Sequence, residues 1–162
     1  MADTRTLFLN ALVAEFTVYA QQLKMAHWNI TGPNFIELHT FFWDKYREAV
    51  DSIDSLAEQV RKIGAFPDGT LTKYLSVSKI KEQESTNPEE ILQIILRSAQ
   101  RLDSNLDKAI RGTTMDLVTQ NLFIEIKALM DKDIWFLKSM CPCNNSIDLE
   151  IKSVEWSPSS ER

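Results

Sequence analysis

The chain has 162 residues, 44% of them hydrophobic and 25% charged, as expected of one soluble globular domain with a core of ordinary size. Its 18 Lys and Arg against 23 Asp and Glu leave a formal charge of −5, a field that repels nucleic acid phosphates and attracts cations. Four glycines and five prolines are too few turns for a β-sandwich or barrel, and no apolar run reaches the roughly 20 residues that cross a bilayer.

The first predicted helix runs from about Thr6 to Asn29, with Leu12, Phe16, Tyr19, Leu23 and Ala26 as one apolar stripe. Asn10 and Glu15 interrupt its apolar start, and no basic region precedes it, so it does not read as a signal peptide. Gly32-Pro33 stops it. A second helix starts at the N-cap Asn34 and carries Phe42, Tyr46, Ala49, Ile53, Leu56, Val60 and Ile63 on one face; Gly64 ends it and Pro67-Asp68-Gly69 makes a turn. The connector from Thr70 to Ser85 is long and holds a short helix around Leu71–Leu75. Asn87-Pro88-Glu89-Glu90 combines a cap, a proline at the first helical position and acids at the positive helix end. It opens a third long helix, with Ile91, Ile95, Leu102, Leu106, Ala109 and Ile110, that stops at Gly112. The fourth runs from about Thr114 to Met140 on Leu122, Ile126, Met130, Ile134 and Leu137, and Pro142 stops it. The predicted fold is all-α: a four-helix bundle over residues 1–142 with an extra short helix in the long connector, then an extended tail over 143–162.

Cys141 and Cys143 are too few to staple a domain of this size, and they read as reduced thiols at a helix end in a cytoplasmic protein. The two histidines, His27 and His39, are the only ones in the chain. Neutral imidazoles suit Zn, Fe, Cu and Ni, and carboxylates complete such sites. Asp54 and Glu58 form an i,i+4 acidic pair on the second helix, with Asp51 a turn earlier; like charges at that spacing repel, and a bound cation offsets the repulsion. Taken singly, either histidine also reads as a core or interface residue. The acids also read as a solvated face paired with Arg61 and Lys62.

Fifteen residues separate His39 from Asp54, about 22 Å along one helix but only about 60° around it. No single metal touches both within one chain. Two copies of the second helix crossing antiparallel bring His39 of one to Asp54 and Glu58 of the other, so a metal site built from these residues is shared across a dimer interface. Glu-x-x-His, which gathers two irons inside one ferritin-type bundle, is absent.

The run His27-Trp28-Asn29, Gly32, Asn34-Phe35, Leu38-His39, Asp54, Ala57-Glu58 and Gly64 resembles the Dps family, the DNA-binding proteins from starved cells, also called miniferritins. The resemblance implies a ferritin-like four-helix bundle assembled with its copies into a hollow dodecameric shell. It implies a ferroxidase centre at the twofold interface, where His27 and His39 of one subunit join Asp54 and Glu58 of the next, Glu58 bridging two irons. Non-haem iron is the implied cofactor, with zinc as a competitor. Fe(II) is then oxidised by hydrogen peroxide in preference to dioxygen, and ferric mineral is stored in the shell. Trp28 is implied to lie beside the site and shield against radicals; read by itself it is equally a buried interface anchor.

The chain departs from the family pattern in two places. Trp43 stands four residues after His39, where many members have another acidic ligand, and Asp44 lies about 100° around the helix from that position. The termini, Met1-Ala2-Asp3-Thr4-Arg5-Thr6 and Glu161-Arg162, lack the Lys-rich tail of members that condense DNA. DNA compaction is therefore not expected. The alternative reading is a DNA- or protein-binding shell with a weakened or absent ferroxidase centre.

Overall fold

A computed structural model describes residues 3–112 and 115–141. They form five helices: α1 (Thr4–Asn29), α2 (Phe35–Lys62), α3 (Leu71–Val77), α4 (Pro88–Arg111) and α5 (Leu117–Met140). No strand occurs among the described residues, and none of these helices is long and apolar enough to cross a membrane. The four long helices are the expected bundle and α3 is the expected short helix of the crossover. The expected tail, Cys143 and the start of the last helix at Thr114 lie outside the described residues.

Local chemistry accounts for the boundaries. The Asn87 side chain accepts from the backbone N–H groups of Glu89 and Glu90 at 2.9 and 3.1 Å, and Pro88 needs no partner at the first helical position. Asp116 caps α5 the same way through Val118 and Thr119; the Thr119 N–H holds its carboxyl below the ordinary value. At the end of α2, Gly64 takes φ +89°. Its N–H reaches the Arg61 carbonyl while the Ala65 N–H reaches that of Val60, the paired closure that a left-handed glycine allows. Asn34 sits where α2 was expected to be capped, but its side chain makes no capping hydrogen bond. The backbone alone starts that helix, through the Leu38 N–H and the Asn34 carbonyl.

The core runs along the bundle axis through Phe16, Tyr19, Phe42, Leu56, Ile91, Ile95, Leu102 and Phe123, each almost completely buried. Such side chains contribute about 1.5–3 kcal/mol apiece. The α1 pattern differs from the expected single stripe. It is buried on nearly every side, Asn10, Glu15 and Gln22 included, because the crossover runs along its outer surface. Those three polar residues bind that crossover. Asn10 Oδ1 accepts from the Asp68 N–H at 3.1 Å, Glu15 Oε1 from the Lys79 N–H at 3.3 Å, and Gln22 Nε2 donates to the Lys81 carbonyl at 3.0 Å. On the α4 side, Glu15 also takes Asn105 and Arg101, and Gln22 takes Ser98. Polar groups buried in this way remain satisfied.

Candidate metal centre

His27 lies in the last turn of α1 and His39 near the start of α2, and the reversal at Gly32-Pro33 brings the two helix ends together. Their rings stack, centroids 3.7 Å apart and 25° from parallel. His27 Nδ1 lies 2.7 Å from the His39 carbonyl oxygen, and His39 Nδ1 lies 2.7 Å from that of His27. A carbonyl only accepts, so each Nδ1 carries the proton and donates. The His27 carbonyl belongs to the last turn of α1, where the helix itself supplies no donor. This reciprocal pair sets the chemistry: with Nδ1–H engaged, each neutral ring keeps its lone pair on Nε2, the nitrogen left for a metal.

The pair is half-buried in a shallow depression with Thr40 and Trp43. The Trp43 indole lies 5.2 Å from the His27 ring and the Phe35 ring 5.1 Å from His39. Trp28, expected beside the site, is 60% exposed, and its ring lies under the Lys24 ammonium at 5.1 Å. The indole against the histidines is that of Trp43.

Asp54 and Glu58 are exposed on α2. That helix is continuous from Phe35 to Lys62, so Asp54 stands about 22 Å along it from His39. Glu58 Oε2 lies 3.7 Å from Lys62 Nζ, an exposed pair that contributes little. Arg61 does not join it; its Nη1 donates to the Ala65 carbonyl and its guanidinium lies over Phe66. Among the described residues of one chain, no three His, Cys, Asp or Glu side chains converge as a metal site. One chain therefore brings the two histidines together and leaves both acids facing outward.

Inside the bundle lies a charged cluster that sequence reasoning missed. Lys45 Nζ contacts both carboxylate oxygens of Glu48, at 3.0 and 2.8 Å, and Asp133 Oδ1 at 2.8 Å. Asp133 is 1% exposed; burial raises its pKa to about 6 against the lowering effect of Lys45. Burial pulls the Lys45 ammonium down, but its bonds to Asp133 and Glu48 outweigh this and leave it above its ordinary value. Burial, then the charges of Asp133 and Glu48, hold the Tyr19 phenol protonated well above its ordinary range. The Lys45 ammonium faces both carboxylates. The signal was present in the periodicity: Lys45 falls between Phe42 and Ala49 on the buried face of α2, and Asp133 between Met130 and Leu137 on that of α5.

Residues 7–142 match the ferritin-like domain of the Ferritin family model. The DNA protection during starvation protein of Listeria monocytogenes is 32% identical over 142 residues, 85% of this chain and 90% of that protein. That of Brevibacillus brevis is 33% identical over 136 residues, 82% of this chain and 91% of its own. Among solved structures, Dps from Staphylococcus aureus superposes with a TM-score of 0.80 at 32% identity, covering 87% of this chain and 98% of that one. Dps from Vibrio cholerae O1, described as a member of a broad superfamily of ferritin-like diiron-carboxylate proteins, gives 0.80 at 28% identity, over 84% and 87%. With a bundle of matching topology and relatives of this similarity over most of its length, the chain belongs to the Dps family of ferritin-like proteins.

Proposed function

We propose that this chain is a cytoplasmic ferroxidase and iron store, assembled as a hollow dodecamer, which oxidises Fe(II) with hydrogen peroxide in preference to dioxygen at a centre shared between two copies. Iron storage and ferroxidase-type chemistry belong to its family. The observation that carries the reading for this chain is the reciprocal Nδ1–H to carbonyl pair of two stacked, half-buried rings, which leaves Nε2 of each as the nitrogen a metal would use.

The sequence of α2 supports the shared site. His39, Trp43, Arg47, Val50 and Asp54 occupy one sector of about 80°. About the midpoint between Tyr46 and Arg47, an antiparallel copy places His39 opposite Asp54, Trp43 opposite Val50 and Phe35 opposite Glu58. Trp43 and Val50 are 41% and 40% exposed, so the same register that meets histidine with carboxylate also covers apolar surface. A self-complementary strip is what a twofold interface requires. Nε2 of His27 and His39 would hold Fe(II) as a neutral pair. Asp54 and Glu58 of the second copy would supply anionic oxygens, which favour the more highly charged Fe(III) product. Zinc suits the same donors and would compete; a similar Dps from Listeria innocua has been soaked with zinc.

Stopped-flow absorbance after mixing Fe(II)-loaded protein with peroxide, and separately with air, tests the proposal. A fast ferric signal with peroxide is expected, and H27A/H39A is expected to abolish it while leaving the shell assembled. Unchanged oxidation in that double variant would overturn the site. The second reading, a DNA- or protein-binding shell with a weakened centre, draws on the Trp43 indole lying against His27. Protein-free rates of iron oxidation together with a gel shift on duplex DNA at low salt would establish it for DNA.

A further inference from the structure

The depression at the α1–α2 reversal is walled by four residues, His27, His39, Thr40 and Trp43. Both Nδ1 atoms are engaged with carbonyls, so each imidazole brings one nitrogen to a metal. Thr40 offers a neutral hydroxyl, and the Trp43 indole has an N–H donor and no acceptor. None of the four walls supplies an anionic oxygen. The acid next to Trp43 in sequence, Asp44, lies about 100° around α2 from it and is exposed.

Trp43 stands four residues after His39 on α2. Helix residues at that spacing share a face and can bind one ion together. A carboxylate there would join His39, which an indole cannot do. The ring is held between those of His27, at 5.2 Å, and Tyr46, at 5.3 Å.

Charge then limits how many ions the centre holds. In the shared centre proposed above the two imidazoles are neutral. Asp54 and Glu58 of the second copy bring two negative charges, which balance one divalent ion. A second divalent ion, about 3.5–4 Å from the first in two-metal sites, would leave two positive charges uncompensated. They would lie beside half-buried imidazoles and the rings of Trp43 and Phe35. Unpaired charge in such surroundings is costly, and the repulsion between the two ions adds to it. We infer that Trp43 restricts the centre to a single metal ion per chain, by standing an indole where a second ion would need a carboxylate. Trp43 is a specificity-determining residue that ligates no ion itself and sets how many the histidines hold. The inference rests on the shared centre of the ferroxidase reading.

Isothermal titration calorimetry of the assembled protein with Co(II), a divalent ion suited to the same donors, counts the ions. The histidine-dependent number is the difference between each protein and the same protein carrying H27A/H39A. One ion per chain is expected for the unmodified protein and for W43F, which removes the indole and adds no donor. Two are expected for W43E and for W43D, each checked for assembly by size exclusion. Two ions in the unmodified protein or in W43F overturn the inference and leave the ferroxidase centre standing, as does a single ion in both carboxylate variants. No histidine-dependent ion in the unmodified protein overturns both.

Discussion

Replacing Lys45 by Met tests the account of the bundle interior most directly. Methionine is unbranched, one atom shorter and uncharged, so most of the side chain's space stays filled while Asp133 and Glu48 lose their shared cation. Removing one partner of a buried ion pair costs about 3–5 kcal/mol, and here Asp133, 1% exposed, bears most of it. The carboxyl has an escape, because its pKa is already raised to about 6 with Lys45 present. The sign follows. A carboxyl whose folded pKa lies above its unfolded value binds more protons in the folded state, so its contribution to stability improves as pH falls through the folded value. At neutral pH the wild-type protein carries a latent cost at Asp133 of about 3 kcal/mol, which protonation relieves between about pH 6 and pH 4. In K45M the same carboxyl protonates at higher pH still. Urea denaturation of both proteins at one fixed protein concentration, at about pH 7.5 and about pH 5, should give a difference of at least about 3 kcal/mol at the higher pH and a clearly smaller one at the lower. A difference under about 1 kcal/mol at the higher pH, or one that does not change with pH, would refute the reasoning.

Two other outcomes follow from the same geometry. N87A removes an acceptor that satisfies two N–H groups at the start of α4 and should cost about 1 kcal/mol in urea denaturation, with the α-helical circular dichroism of the folded protein unchanged. V50D places a carboxylate opposite the Trp43 indole in the proposed antiparallel α2 pair and should shift the assembled protein to smaller species on size exclusion. An unchanged elution volume would remove that register.

The long helices were legible in the sequence because their signals are local. Asn87-Pro88, Gly64 and the apolar stripes of α2, α4 and α5 act within one or two turns, and each marks a boundary or face that the structure shows, whereas the single stripe expected of α1 does not describe a helix buried on nearly every side. The separation of His39 from Asp54 is equally local, since a continuous helix makes it a matter of rise per residue. What tertiary structure alone decided depends on segments distant in the chain. The protons on Nδ1 of both histidines follow from two carbonyls that meet them only when the α1–α2 reversal closes. Glu15 and Gln22 are core residues because a crossover some 60 residues later covers them and offers a donor and an acceptor. Trp43 lies 5.2 Å from His27 because the reversal at Gly32-Pro33 brings the start of α2 against the end of α1, a pairing no periodicity encodes. Lys45 and Asp133 each break their own apolar stripe, and read singly they are errors of pattern; folding makes them partners, because a buried charge is tolerable only where another element brings its counter-charge.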